Sequence, residues 1–87
     1  MRYLVESSHT KEQCLRALDE LLAKGPDLLN RFDFGCGSGV HTGWAVLEGR
    51  SESEVRDLLP TTIRDQAHIV EVGKFTPEQI RSFHLRQ

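Results

Sequence analysis

Apolar positions along this chain follow two periods, and the switches between them outline the elements. Residues 2–7 hold Tyr3, Leu4 and Val5 with no helical spacing, which predicts a strand. Thr10 then offers an N-cap, and Gln13 three residues later completes a capping box. Cys14, Leu15, Ala17, Leu18, Leu21 and Leu22 follow at i, i+3, i+4, i+7 spacing and form one apolar stripe. Lys11, Glu12, Arg16, Asp19, Glu20 and Lys24 fall mostly on the other side. Gly25 suits the left-handed position after a helix, and Pro26 cannot continue it. Residues 27–30 read as a turn or a helical extension.

The second half repeats the plan. Residues 32–36 predict a second strand, and Gly35, Gly37, Ser38 and Gly39 a flexible hairpin. Residues 42–48 predict a third strand. Ser51 and Glu54 make another capping box, with Val55, Leu58 and Leu59 on a short helix that ends near Pro60. Residues 61–66 connect, and residues 67–73 predict a fourth strand centred on Ile69, Val70 and Val72. Thr76-Pro77-Glu78-Gln79 then starts a tail helix through about His84, anchored by Ile80 and Phe83.

The order β-α-β-β-α-β plus a tail helix is the split βαβ plan of ferredoxin-like domains. The fold class is therefore α+β. A four-stranded antiparallel sheet of order 4-1-3-2 with right-handed crossovers is expected, in a single domain over residues 1–87. Two helices cover one face of such a sheet. Tyr3, Phe32, Phe34, Trp44, Val46 and Val70 are assigned to a second apolar face, and an uncovered patch of that size usually marks an interface. Two covers are open: a second copy of the chain, which is the expected one, or the tail helix folded back.

Composition narrows the function classes. The chain has 87 residues, 38% hydrophobic and 28% charged, as a small globular domain requires. Its net charge of -2 lacks the basic excess of a nucleic-acid binder. No apolar run could span a membrane, and an acidic residue follows the start too soon for a signal peptide, so a cytoplasmic protein is expected. Cys14 and Cys36 then read as a reduced pair used as small hydrophobes, since they match no CxxC pattern.

As a whole the chain resembles the ferredoxin-like domains that pair face to face as dimeric α+β barrels. Closer likeness is carried by Leu4-Val5, Ser8-His9-Thr10, His41-Thr42-Gly43-Trp44-Ala45 and Lys74-Phe75-Thr76-Pro77-Glu78-Gln79-Ile80, which are similar to a set of small proteins of that type without a characterised function. The resemblance implies a homodimer with a pocket between sheet and helices or within the barrel. It implies no particular reaction, because that fold carries cofactor-free monooxygenases, isomerases and ligand sensors alike.

The topology also sorts the polar residues. The end of strand one, the start of helix one, the hairpin and the start of strand four share one edge. His9, His41 and His68 map there and are the candidate catalytic residues, as histidine titrates near neutrality. Cys14 and Cys36 map to the same end, and imidazole with thiolate suits zinc. Because Cys14 sits on the apolar stripe, it reads as core, no metal ligand is assigned and the cofactor is left open. Tyr3, Glu6, Phe34, Trp44 and Arg64 are the candidate ligand-binding residues for a possible small molecule. The expected role is a homodimeric binding or interaction module; the alternative is a cofactor-free or metal-assisted enzyme using the three histidines.

Overall fold

The computed structural model describes residues 1–86. It contains four strands, β1 (Arg2–Ser8), β2 (Phe32–Phe34), β3 (Thr42–Glu48) and β4 (His68–Val72). Five helices join them: α1 (Lys11–Lys24), α2 (Pro26–Leu29), α3 (Glu52–Leu58), α4 (Thr61–Arg64) and α5 (Pro77–Leu85), with a 3-10 turn at Cys36–Ser38. The fold is α+β with one antiparallel sheet in the order β2-β3-β1-β4. These are the neighbours of 4-1-3-2 counted from the opposite edge.

Local chemistry explains the boundaries. Thr10 accepts a hydrogen bond from Gln13 N–H at 3.2 Å, and the Gln13 amide oxygen accepts from Thr10 N–H at 2.9 Å, so the expected capping box starts α1. Gly25 ends it, but with φ 128 and ψ 154, an extended conformation closed to side-chain-bearing residues, not the expected left-handed one. The undecided stretch after it is the single turn α2. The expected connection at 61–66 contains another short helix, α4. Strand β2 stops at Phe34, two residues earlier than expected, because the glycine-rich segment coils into the 3-10 turn.

The core lies on one side of the sheet. Tyr3, Val5, Ala45 and Leu47 face Ala17 and Leu21 of α1 and Val55, Leu59, Ile63 and Ala67 from the second helical segment. Three expected face assignments change. Tyr3 and Phe32 are buried in this core and Phe34 packs against it, so none of the three lies on the second face. The cause is register: Tyr3 pairs with Leu47 and Leu4 with Val46, so Leu4 joins Trp44, Val46 and Val70 on the open side.

Pro60 holds the N-cap position before helix α4, and its side chain cannot cap. Glu20 of α1 does so from a distance. Its carboxylate accepts from Thr61 N–H at 3.0 Å, Thr62 N–H at 3.3 Å, the Thr61 hydroxyl at 2.7 Å and the Thr62 hydroxyl. These bonds, the Thr62 and Thr61 hydroxyls foremost, hold the Glu20 carboxyl below its ordinary pKa despite partial desolvation. A lowered native pKa contributes stability above the unfolded carboxylate value of about 4.3, and that contribution is lost as pH falls through the lower native value. Glu20→Gln should therefore reduce stability at neutral pH and flatten the acid limb of a Tm-versus-pH curve. An unchanged acid limb would show that the carboxylate is uncoupled from folding.

No helix among the described residues is long and apolar enough to cross a membrane.

Candidate metal centre

Three segments meet where β1 ends and β3 begins. Past Ser8 the ladder gains one more rung, His9 N–H donating to the His41 carbonyl at 3.0 Å. This fixes the two histidines side by side, with ring centroids 6.1 Å apart and planes at 61°. The capping box next to His9 then sets the first turn of α1, which carries Cys14. Gln66 tightens the junction: its side-chain amide donates to the Ser8 carbonyl at 3.0 Å and to Gln13 at 3.2 Å.

The third segment is the loop between β2 and β3. Gly35 N–H donates to the Thr42 carbonyl at 2.9 Å, and Val40 N–H to the Gly35 carbonyl at 3.0 Å. A Cβ at Gly35 would lie 2.8 Å from the Val40 carbonyl oxygen, so the closure requires glycine there. The closed loop brings Cys36 back over the start of α1.

The result is a cluster of His9, Cys14, Cys36 and His41, with one donor atom from each lying within 4.8 Å of all the others. Cys14 Sγ is 3.2 Å from Cys36 Sγ, and His9 Nε2 is 3.3 Å from Cys36 Sγ. With Zn–S near 2.3 Å and Zn–N near 2.0–2.1 Å, the edges of a zinc tetrahedron are roughly 3.3–3.8 Å. The donors are thus spaced to surround one ion after adjustments of an ångström or less. His9 is buried, and the other three are half-buried.

The neighbouring groups support that use. His9 Nδ1 lies 3.3 Å from the Ser7 carbonyl oxygen. A carbonyl only accepts, so Nδ1 carries the proton and Nε2 presents its lone pair to the cluster. His41 Nδ1 is buried and, among the described residues, has no hydrogen-bond partner. A buried nitrogen left unpaired costs about 1–3 kcal/mol, which a metal bond to that ring could offset. Against that use, burial, followed by the adjacent Cys14 thiol, pushes the Cys36 thiol above its ordinary pKa, so a bound ion would have to displace that proton. Both thiols are free. In the metal-free protein the protons form a relay, from Cys14 S–H to Cys36 and from Cys36 S–H to His9 Nε2.

Of the sequence-derived candidates, His9 and His41 come together. His68 does not: it pairs in register with Glu6 on the open face, exposed, while His9 lies on the helix side. Glu6 accepts from Trp44 Nε1 at 3.3 Å on that same open face. Trp44 also lines a shallow depression of about 380 Å³ together with Leu4, Arg31, Asp33 and Val46. Tyr3 is core, and Phe34 stacks on Phe32 with centroids 5.8 Å apart. Arg64 donates to the Leu59 carbonyl at 3.0 Å and helps close the end of α3. These five residues therefore line no common pocket.

The two cysteines, which the sequence maps to this end but reads as core hydrophobes, join the two histidines in the cluster. A further signal lies in their spacing. Four residues separate His9 from Cys14, and four separate Cys36 from His41, giving a mirrored pair of spacings outside the familiar CxxC form.

No protein-family model matches the chain, and no curated protein or solved structure does either.

Proposed function

We propose that the protein is a metal-binding interaction module, with His9, Cys14, Cys36 and His41 as four ligands of a single zinc-class ion. The convergence of two thiols and two imidazoles within 4.8 Å carries this reading. Two sulfur and two nitrogen donors in a compact, half-buried set favour zinc over hard cations such as magnesium or calcium, which take oxygen. Four protein ligands leave no open position for a substrate, so a bound ion would brace the structure, not catalyse. That weighs against the metal-assisted enzyme. The element order and sheet neighbours support a ferredoxin-like plan, in which the ion would join the end of β1, the start of α1 and the β2–β3 loop.

Cobalt(II) is the direct probe. The reduced protein should bind one equivalent and develop thiolate-to-cobalt charge-transfer absorption, which one equivalent of zinc then abolishes. Cys36→Ser should weaken binding by about 100-fold or more, because a thiolate is lost. A chain that retains neither metal after desalting, and shows no charge-transfer band, would overturn the assignment.

A further inference from the structure

The last helix has no seat on its own domain. Every described residue from 73 to 86 except Ser82 is exposed, including Phe75 at 67%, Ile80 at 46% and Phe83 at 44%. Yet the helix is strongly specified. Thr76 and Gln79 form a full capping box, Pro77 occupies the first turn, and the Phe75 ring meets Phe83 edge-on at 5.5 Å. Nine helical residues are too few to persist alone in water, so this segment needs a surface to pack against.

A matching surface exists on the same chain. Leu4, Val46 and Val70 are adjacent through the β1–β3 and β1–β4 registers and remain exposed on the open face, beside the Trp44 depression. Charge does not decide the contact: the tail segment carries Lys74, Arg81 and Arg86 against Glu78, and the sheet face carries Arg2 and Arg31 beside Glu6, Asp33 and Glu48. Helix α5 does not cover its own face: Ile80 and Phe83 on the helix and Leu4, Val46 and Val70 on the face all remain exposed, in a molecule that measures 50 × 28 × 21 Å.

The dimensions quantify the mismatch. A compact monomer of 9.9 kDa should expose roughly 5,200 Å², and this chain exposes 6189 Å². The excess of roughly 1,000 Å² is close to the ~800 Å² that each partner buries in a standard interface. The radius of gyration is 15.8 Å, against about 12 Å for a compact domain of this length.

We infer that two copies of this chain exchange their C-terminal helices, each α5 laying Ile80 and Phe83 across the partner's open sheet face over Leu4, Val46 and Val70. Both halves of the contact belong to one sequence, so a two-fold dimer satisfies both at once. The exchange involves no residue of the metal centre and does not rest on it.

Sedimentation equilibrium of the full chain, with and without zinc, should give a dimer at micromolar concentration. The double variant Ile80→Asp/Phe83→Asp should weaken association by at least about 100-fold, as should Val46→Asp on the opposite surface. Both should keep the wild-type circular dichroism of the sheet. For the mode of contact, benzoylphenylalanine placed at position 83 should photo-crosslink to β1 or β3, and mixed light and heavy isotope samples should give products of mixed mass. A monomer at tens of micromolar, a dimer indifferent to the helix variants, or crosslinks confined to one copy would each overturn the exchange. The last result would identify the helix as folded back on its own sheet.

Discussion

Saturating zinc should raise the Tm of the reduced, metal-free chain by roughly 15–30 °C. A ligand held by all four donors only in the folded state, and far more weakly by either pair alone, stabilises it by up to about 4 kcal/mol at a thousand times its Kd. In a domain of this size each kcal/mol moves Tm by roughly 4–8 °C. The gain should fall by more than half in Cys36→Ser and disappear in a Cys14→Ala/His41→Ala double variant, which remove ligands from different segments. His68→Ala is the matched control, because that ring is exposed on the opposite side of the sheet and its variant should keep the full shift. Calorimetric scans of the four proteins with and without zinc decide the matter. A zinc shift that survives ligand removal would place the ion elsewhere.

Leu21→Ala should cost about 3–5 kcal/mol. Leu21 is fully buried toward the C-terminal end of the α1 stripe, within the cluster that includes Val5, Leu47, Val55 and Leu59. Truncation loses the transfer free energy and leaves a cavity, which in well-packed cores amounts to about 2–5 kcal/mol. A chain of this length has only about 4–13 kcal/mol in total at 0.05–0.15 kcal/mol per residue. Without metal the variant should therefore be largely unfolded at moderate urea, while Leu22→Ala, at 61% exposure, should stay within about 0.5 kcal/mol of the parent. Zinc should restore Leu21→Ala by the same increment it gives the parent. Leu21 lies seven residues along α1 from Cys14, about 10 Å, where effects add. Urea melts of both leucine variants give the numbers.

The frame of the molecule was legible from residues alone because its signals are local. Capping boxes at Thr10 and Thr76, the stripe through Leu21 and the alternation in β3 each locate an element without knowledge of the rest. What escaped depends on registers between segments. Tyr3 and Leu4 are neighbours of opposite parity, and only the pairing with Leu47 and Val46 decides which one faces the helices. The same parity puts His68 on the open face, although its strand starts at the expected end. Topology could bring His9 and His41 to one edge, and their shared rung confirms the proximity. Cys14 was harder: a thiol on an apolar stripe is equally good as filler and as ligand, and only the folded loop carrying Cys36 separates the two uses.

The donor set is built from two local pairs, His9 with Cys14 and Cys36 with His41, separated by the 22 positions from Cys14 to Cys36. Either pair alone is a two-toothed chelate available to an unstructured chain. Tying 22 residues into a ring removes roughly 3 kcal/mol of loop entropy from that chain. An ion that grips one pair early and captures the second would bring the end of β1 to the start of β3 before the sheet exists. Since β1 and β3 are the two central strands, their antiparallel alignment is a long-range step on which both edge strands depend. The mirrored spacing would then act on the folding rate as well as on the folded state.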